Sequence, residues 1–541
     1  MQRDHPPFKR FSKGNVQGWM REEILNLLPP SFFEDPVSFI RQTKGEVIKE
    51  SKLRFAAIFS LPNGRKIYFK RDITNGWREA LKYLLLPSKG RKEWFVAFQL
   101  QKRNLGIPHP FGWMEKVRRG FVKESYYLSE AIGSGVSLIE DAAVLRESLW
   151  MDELAKTVRK IHNAGLFHKD LHAGNFLWNG QSLFLTDLHR AKIVRSLSLN
   201  QQLWNLSQLF HSLRPIWEEG DHLRFIETYL EENPFYLQKK GELTQKVHSL
   251  MDRLQKRQWR SRTKRCLRES TEFSILKDRG IHYYYRRDFP LDRLGKVIEE
   301  HLRIARERPS ALVKQSPEVL ISILNDGRNR ICVKQFRYPH FLNSFKEHFR
   351  RSKGLKAWVA GNGLIMRGIP ALKPMALMES RNWLGLRESF FLIEAPETDQ
   401  ELDRYILKGF EDFKEKRLFI KTFAQWLTHF HKMGLYHRDM KTCNILVSKS
   451  GESCNFHLLD LEDLLLDERV DEMRLFRNFL QLNTSTPKII TKADRFRFFK
   501  EYLSLNPIIK NQKGFLRRLI EESRRRGLVY VSSHGVVIEK L

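Results

Sequence analysis

The sequence predicts an α+β fold made of two tandem bilobal domains, each with a small β-rich N-terminal lobe and a mainly helical C-terminal lobe. The length of 541 residues is enough for roughly two to four domains. A hydrophobic content of 41% is sufficient for packed cores. One ordered series of motifs also occurs in each half of the chain, so the halves are expected to be copies of one fold.

The most specific of these motifs is H-[KR]-D-x-x-x-x-N, which occurs once in each half. This is the spacing of the kinase catalytic loop, in which the Asp orients a substrate hydroxyl and the Asn holds a metal ion. The motif therefore predicts catalytic and metal-binding positions in both halves. The catalytic positions are Asp170 and Asp439, and the metal-binding positions are Asn175 and Asn444.

Both motifs lie between the same flanking elements. Before each motif, apolar residues spaced as on one helix face lead to Gly165 or Gly434, and glycine commonly ends a helix. After each motif, two short apolar strands form a predicted hairpin that ends in Asp187 or Asp460. The hairpin returns this Asp to the Asn, where carboxylate and amide oxygens suit magnesium. This order of helix, loop, hairpin and Asp predicts a protein-kinase-like C-terminal lobe in each half.

The N-terminal lobes are predicted from a β-hairpin that carries a lysine. Asn-Gly at residues 63–64 and Asp-Gly at residues 326–327 lie between β-rich runs. This is a strong hairpin signal because these residues tolerate positive φ. Lys70 and Lys334 are placed at the end of the second strand, where a kinase holds the lysine that contacts the ATP phosphates.

A helix over residues 94–105 is predicted to follow the first lysine strand, and Glu93 immediately precedes it. Glu93 is the predicted carboxylate partner of Lys70. The alternative is a solvated helix carboxylate beside two basic neighbours.

The second half lacks an equivalent of this carboxylate. No Asp or Glu occurs from His348 through Met378, the stretch that should contain the corresponding helix. Lys334 is therefore predicted to lack a helix partner, so that the second domain binds nucleotide poorly or has an auxiliary role. Its intact Asp439, Asn444 and Asp460 favour the opposite interpretation, that both domains are active.

Histidines flank both loops and are predicted to be structural. His162 and His431, at the ends of helices, are expected to satisfy local carbonyl groups. The histidines that begin the loops are expected to brace the loop backbone, namely His168 and His437. His172 and Lys441 lie between the Asp and the Asn of their loops. Each either contacts the acceptor or the γ-phosphate, or only forms a loop hydrogen bond or is exposed.

The duplication extends almost to the end of each half, where Asn233-Pro234 is repeated as Asn506-Pro507. The first kinase-like domain is predicted over residues 1–250 and the second over residues 251–541. A basic, polar and helical segment near residues 240–265 is expected to connect them.

The formal net charge of +32 is distributed along the whole chain and favours anionic partners. No aromatic-basic alternation indicates a nucleic-acid platform, so no specific nucleic acid is expected. Four cysteines without a CxxC pair argue against a disulfide framework or a zinc site. The N-terminal residues lack an apolar signal-peptide core and no long apolar run occurs, which predicts a cytoplasmic protein without a membrane span.

Together, Lys70, the Leu-Gly-Ile-Pro at residues 105–108, the first catalytic loop and Asp187 resemble the lipopolysaccharide core kinase family, the Kdo and heptose kinases of Gram-negative bacteria. The second half resembles another member. The resemblance implies a kinase that uses ATP and magnesium to phosphorylate a sugar hydroxyl of the lipopolysaccharide inner core. It also implies a peripheral location on the anionic, cytoplasmic face of the bacterial inner membrane.

Both halves depart from protein kinases. Neither has G-x-G-x-x-G before the lysine strand, neither has Phe-Gly after the metal-binding Asp, and no Ala-Pro-Glu follows. Because the peptide-positioning segment is not recognisable, a glycosyl acceptor is favoured over a protein. Two alternatives remain, an atypical protein or small-molecule kinase and a pseudokinase scaffold that binds an anionic membrane surface.

Overall fold

The computed structural model describes residues 8–133, 135–139, 149–338, 351–382, 385–396, 400–451 and 453–540. Two stretches used in the sequence argument lie outside them, residues 1–7 and the first three residues of the segment that begins at His348. The chain divides into two units, Met1–Gln255 and Lys256–Leu541, here called the first and second domain. Each contains a seven-stranded sheet followed by a mainly helical lobe, which confirms the α+β bilobal fold.

Seven strands form the N-terminal lobe of the first domain: β1 (Phe8–Lys13), β2 (Val16–Arg21), β3 (Glu46–Ser51), β4 (Arg54–Ser60), β5 (Lys66–Ile73), β6 (Pro110–Arg118) and β7 (Phe121–Glu130). They form one antiparallel sheet in the order β1-β2-β6-β7-β5-β4-β3. Its helices are α1 (Glu22–Leu27), α2 (Pro30–Glu34), α3 (Pro36–Gln42), α4 (Gly76–Leu85) and α5 (Lys89–Gln101). Buried phenylalanines, among them Phe32 and Phe69, pack this lobe.

The C-terminal lobe of the first domain contains α6 (Leu149–Asn163), α7 (Leu199–Leu213), α8 (Glu219–Leu230) and α9 (Pro234–Leu237). It also contains the first part of α10 (Lys240–Thr263), which continues past the division at Gln255 into the second domain. Short strands between α6 and α7 build the catalytic end of the lobe. They are preceded by β8 (Val136–Ser137) and comprise β9 (Leu166–His168), β10 (Phe176–Trp178), β11 (Leu183–Leu185) and β12 (Ala191–Ile193). The β10–β11 pair is the hairpin predicted after the loop motif. The basic segment expected to join the domains lies largely in α10.

The second domain repeats this plan. Its N-terminal lobe contains β13 (Phe273–Asp278), β14 (Ile281–Arg286), β15 (Lys314–Gln315), β16 (Val319–Asn325), β17 (Arg330–Arg337), β18 (Pro374–Asn382) and β19 (Gly385–Glu394). Their order, β13-β14-β18-β19-β17-β16-β15, matches that of the first sheet. Two helices of this lobe are α11 (Leu291–Glu307) and α12 (Lys353–Ile365).

The C-terminal lobe of the second domain contains α13 (Leu402–Leu407), α14 (Phe413–Lys432), α15 (Glu472–Ser485), α16 (Lys492–Leu505) and α17 (Gln512–Arg526). Its strands are β20 (Gln400–Glu401), β21 (Tyr436–His437), β22 (Ile445–Ser450), β23 (Ser453–Leu458), β24 (Leu464–Leu465), β25 (Leu528–Ser532) and β26 (Gly535–Glu539). Within the described part of the chain, no helix is both long and apolar enough to cross a bilayer.

Glycine ends the helix before each loop, as predicted. Gly165 follows α6 with φ of 75°, and Gly434 follows α14 with φ of 71°. Glycine adopts this left-handed conformation without steric cost. At Gly165 a Cβ atom would also collide with the carbonyl oxygen of Val194. This turn sends the chain from the helix directly into the catalytic loop.

Candidate active site

A buried ion cluster forms the centre of the first domain. Lys70, the fifth residue of β5, contacts Glu93 through Nζ and Oε2 at 2.9 Å, and it also binds Asp187. Lys70 and Glu93 are 4% and 3% exposed, so the interpretation of Glu93 as a solvated carboxylate is wrong. Lys70 lies within its strand, not at the end as predicted. The cluster joins the sheet, α5 and the second Asp of the C-terminal lobe.

The position of Glu93 corrects the predicted helix boundary. α5 begins at Lys89, because Ser88 caps it by accepting a hydrogen bond from the backbone N–H of Arg91. Glu93 therefore lies within the helix and not before it. In this place its carboxylate reaches the lysine of β5.

The three charges of the cluster shift one another's pKa values. Burial alone would lower the pKa of Lys70, but Glu93 and Asp187 raise it above its usual value. Burial opposes ionisation of Asp187, yet hydrogen bonding by His189 and the charge of Lys70 hold its pKa well below the usual range. Burial raises the pKa of Glu93. Lys70 is thus held charged beside a carboxylate that stays ionised.

Asn175 and Asp187 lie side by side because the backbone N–H of Thr186 donates to the carbonyl oxygen of Asn175 at 2.8 Å. The Asn175 side-chain amide donates to the backbone oxygen of Asp170 at 2.9 Å, which leaves its carbonyl oxygen available to a ligand. Asp187 has left-handed backbone angles, φ 59° and ψ 44°, and its side chain is 32% exposed. One carboxylate and one amide oxygen fit magnesium, which keeps several water or phosphate ligands.

A further group could contact a cation in the first domain. Ligand atoms of Glu93, Asp187 and His189 lie within 4.8 Å of one another. However, Glu93 is committed to Lys70, and His189 Nδ1 lies 2.6 Å from Asp187 Oδ1. These contacts make Asp187 the shared member of the ion cluster and of the cation site.

The catalytic loop is braced by the histidine that begins it, as predicted. His168 Nδ1 accepts from the backbone N–H of Asp170 at 3.2 Å, and its Nε2 contacts the backbone oxygen of Asp187 at 3.1 Å. Burial lowers the pKa of His168. A neutral imidazole therefore fixes the distance between the two aspartates.

Asp170 itself is half-exposed and faces a cation. Arg190 Nη1 donates to Asp170 Oδ2 at 2.6 Å. Arg190 was not among the predicted site residues. Its guanidinium places a positive charge beside the carboxylate of the catalytic loop.

The second domain contains the same cluster with a different carboxylate. Lys334, the fifth residue of β17, lies 2.5 Å from Asp460 Oδ1 and 2.6 Å from Glu462 Oε1. As predicted, α12 offers Lys334 no carboxylate. The inference that the lysine is therefore unpaired is wrong, because its partners come from the loop after β23. Burial would lower the pKa of Lys334, but Glu462 and Asp460 raise it.

Corresponding positions in the two domains show how Glu462 takes the place of Glu93. Ser352 caps α12 as Ser88 caps α5, and Ala357 stands where Glu93 stands in the first domain. Glu462 follows Asp460 by two residues, as His189 follows Asp187. The carboxylate has therefore moved from the helix to the loop that carries the metal-binding Asp.

The second catalytic loop is built like the first. His437 Nε2 contacts the backbone oxygen of Asp460 at 3.2 Å, and the amide of Asn444 donates to the backbone oxygen of Asp439 at 2.8 Å. Lys441 Nζ lies 2.9 Å from Asp439 Oδ1, so Lys441 forms a loop bond to the catalytic Asp. At the corresponding place in the first loop, His172 is half-buried.

The sequence model of the lipopolysaccharide kinase (Kdo/WaaP) family matches residues 39–229 and 344–502, which lie in the two halves of the chain. The chain belongs to this family. As a member of the Kdo/WaaP family it is a kinase, and the family relationship supports action on the lipopolysaccharide core. The two matched regions confirm the tandem duplication.

This Kdo/WaaP family member was also compared with curated sequences and with solved structures. No curated protein sequence matches the chain significantly. A solved structure of WaaP in complex with acyl carrier protein is similar at 19% identity and a TM-score of 0.30, covering 40% of this chain and 92% of that chain. A Stt7 homolog from Micromonas algae soaked with ATP shares 13% identity at a TM-score of 0.23, covering 36% of this chain and 56% of that chain.

Both domains of the family member contain a buried network that was not predicted. His162 Nδ1 lies 2.7 Å from the Tyr229 hydroxyl and does not satisfy a local carbonyl group as expected. Asn205 accepts from the backbone N–H of His168 and donates to its carbonyl oxygen. In the second domain His431 contacts the Tyr502 hydroxyl in the same way, and Asn478 donates to the backbone oxygen of His437. There His431 Nε2 also lies 3.1 Å from Asn478 Oδ1.

A signal for this network was present in the repeat. Asn205 and Asn478 follow Asp187 and Asp460 at the same sequence distance. Alignment of the two halves would have identified the asparagines. Arg190 offers no such signal, because Asp463 occupies its place in the second half.

Proposed function

We propose that both domains transfer the γ-phosphoryl group of ATP to a sugar hydroxyl, of Kdo or heptose, in the lipopolysaccharide inner core. The observation that supports this most is the lysine cluster, Lys70 with Glu93 and Asp187, located beside a loop that presents Asp170 and Asn175. Phosphoryl transfer needs mainly positioning and neutralised charge, and this set supplies both.

In the first domain Lys70, held charged by its two carboxylates, binds the ATP phosphates. Asp170 accepts the proton of the sugar hydroxyl as the hydroxyl oxygen forms its bond to the γ-phosphorus. The bond from the γ-phosphorus to the bridging oxygen breaks, and ADP leaves with that oxygen. Arg190, which contacts Asp170 without substrate, neutralises charge on the transferred group.

Asn175 and Asp187 hold magnesium in this proposal, as Asn444 and Asp460 do in the second domain. The ion, when bound, neutralises phosphate charge. The side-chain amide of each Asn is fixed by the backbone oxygen of the catalytic Asp. This contact uses the amide nitrogen and leaves the amide oxygen as the group that would bind the ion.

The second domain is active in this proposal because Glu462 replaces the missing helix carboxylate. The Lys334 ammonium lies between Asp460 and Glu462 and is 12% exposed. Lys441 takes the place of Arg190 beside the catalytic Asp. Each domain therefore contains one lysine cluster, one metal pair and one cation at its catalytic Asp.

The acceptor is a glycolipid and not a protein. The family relationship supports lipopolysaccharide, and the chain lacks the protein-kinase activation-segment motifs. A net charge of +32 favours a phosphorylated glycolipid in an anionic membrane. The protein is accordingly proposed to act in the cytoplasm, peripherally on the inner face of the bacterial inner membrane.

Mass spectrometry of core oligosaccharide from cells with Asp170→Ala or Asp439→Ala tests the proposal. Loss of a different phosphate in each variant is the expected result. Loss of all core phosphate in only one variant would identify the other domain as auxiliary. If the double variant leaves core phosphorylation unchanged, the kinase proposal fails for this acceptor. That result would favour the alternative of a pseudokinase scaffold that binds the membrane.

A further inference from the structure

Helix α4 of the first domain presents an apolar stripe to solvent. Trp77 and Leu85 are 69% and 90% exposed, and Leu81 and Leu84 between them are 46% and 55% exposed. Their spacing is that of one helix face. The less exposed side of the helix carries Glu79, Ala80 and Tyr83. Contiguous exposed apolar surface of this kind marks an interaction site.

Basic side chains lie beside this stripe. A cavity of about 720 Å³ between α4 and the β3–β4 hairpin is lined by both elements. Its basic lining residues are Lys49, Arg54, Arg78, Lys82 and Lys89, and its acidic ones are Asp72 and Glu79. The two acidic residues are paired with Arg54 and Lys89 at 3.0 and 2.9 Å. The remaining charge of the lining is positive.

One charge of α4 and one charge of the catalytic loop both act on a lysine of α5. Lys92 of α5 is partly buried, and its pKa is lowered by burial and by the charges of Lys169 and Lys82. Lys82 belongs to α4, and Lys169 precedes the catalytic Asp170. Like charges gathered at this edge attract an anionic surface.

We propose that α4 docks the first domain on an anionic lipid bilayer, with Trp77, Leu81, Leu84 and Leu85 inserted at the headgroup boundary and Arg78 and Lys82 on lipid phosphates. A short helix with an apolar stripe, a tryptophan and flanking basic residues has the chemistry of an interfacial membrane helix. The charge complementarity favours lipid over a protein partner or a second copy of this chain. The inference rests on the proposed function, because that function places the acceptor in a membrane.

Flotation of the full chain with vesicles tests this docking in the absence of ATP and acceptor. The vesicles contain phosphatidylethanolamine with phosphatidylglycerol, and vesicles of phosphatidylcholine alone are the uncharged control. Leu81→Glu/Leu85→Glu should lower vesicle affinity about tenfold or more, because two apolar side chains lose their insertion. Phe235→Glu changes another exposed apolar residue of the same domain, 60% exposed, and should retain the wild-type affinity.

Arg78→Glu/Lys82→Glu provides a second arm, which should weaken binding only to the vesicles with phosphatidylglycerol. Equal binding by the wild type and Leu81→Glu/Leu85→Glu would overturn the inference. So would self-association of the wild type that is lost in the latter variant while vesicle binding is unaffected, since the face would then join two copies. Phosphorylation of water-soluble, deacylated core oligosaccharide is measured in parallel. If the wild type does not phosphorylate this soluble acceptor, the result contradicts the proposed function but leaves the docking untouched.

Discussion

At the scale of single residues, the two sites reach the same charge balance through different side chains. The first domain has Glu93 in α5 and His189 after the metal-binding Asp, whereas the second has Ala357 and Glu462 at those places. The lysine contacts two carboxylates in both cases. The two domains thus keep a second carboxylate beside the lysine but carry it at different positions in the chain.

Glu462→Gln is expected to raise the KM for ATP of the second domain about tenfold or more, because Lys334 loses the more buried of its two carboxylate partners. The variant is made in the Asp170→Ala background, so that only the second domain contributes. Steady-state phosphorylation at varied ATP gives KM and kcat separately.

Glu462→His/Ala357→Glu is the matched rescue variant, since it reproduces the arrangement of the first domain. It should recover most of the ATP affinity that Glu462→His alone loses. A kcat and KM for Glu462→Gln equal to those of its parent would contradict the positioning role of Glu462.

Arg190→Ala and Lys441→Ala are expected to lower kcat, each in its own domain, by about tenfold through lost charge stabilisation. Stability should change by less than about 1 kcal/mol, because Arg190 and Lys441 are about half exposed. Activity is measured with the other domain inactivated, and thermal unfolding is measured on the same preparations. A large drop in melting temperature with unchanged kcat would assign these cations to folding instead.

At the scale of elements, a buried polar chain links three helices to the catalytic loop. In the second domain it runs from Tyr502 in α16 through His431 in α14 and Asn478 in α15 to the backbone of His437. Since His431 donates to Asn478 and accepts from Tyr502, the ring is neutral. Burial lowers the pKa of His431 to about 4.

This network predicts a pH-dependent stability. The unfolded chain protonates this histidine near pH 6.5, whereas the folded chain keeps it neutral until about pH 4. The free energy of unfolding should therefore fall as the pH drops between these values, by about 3 kcal/mol for His431. Urea denaturation at several pH values should show a shallower dependence in His431→Gln, which keeps both hydrogen-bonding groups. Parallel curves for the two proteins would be inconsistent with a neutral buried histidine.

Local elements were predictable where a short pattern determines them. The hairpins with Asn-Gly and Asp-Gly, the glycine after α6 and the strands before Asp187 depend on neighbouring residues only. The start of α5 was placed five residues too late, at Trp94 and not at Lys89. In the structure a side chain at Gly90 would collide with the backbone of Tyr126, so glycine there permits close packing on β7.

The partner of Lys334 was not predictable by the same reasoning. The expected helix carries no carboxylate, whereas Glu462 lies 128 residues further along the chain and meets Lys334 only through tertiary contact. Arg190 was missed for a similar reason, since its contact with Asp170 depends on the turn after Asp187. Tertiary proximity, and not local pattern, creates both contacts.

At the scale of the whole molecule, the chain combines two domains with the same sheet order and the same site plan. We expect two molecules of a non-hydrolysable ATP analogue to bind per chain, because each domain has its own lysine cluster. Isothermal titration calorimetry with magnesium present measures this stoichiometry. Lys70→Met and Lys334→Met should each reduce it to one, and the double variant should abolish binding.

Asp170→Ala serves as the control, since it alters the acceptor side of the site and should retain both nucleotides. One molecule per wild-type chain, lost only in Lys70→Met, would show that the second domain does not bind nucleotide.

The position of Glu462 determines how each site can be switched off. An outward swing of α5 would separate Glu93 from Lys70 and disable the first domain, a mode of control that depends on the helix carrying the carboxylate. The same swing of α12 would leave Lys334 paired, because both of its carboxylates belong to one loop. Displacement of the helix alone would therefore break the lysine pair directly only in the first domain. With both domains active as proposed, a regulator that moves these helices would act on one phosphorylation more than on the other.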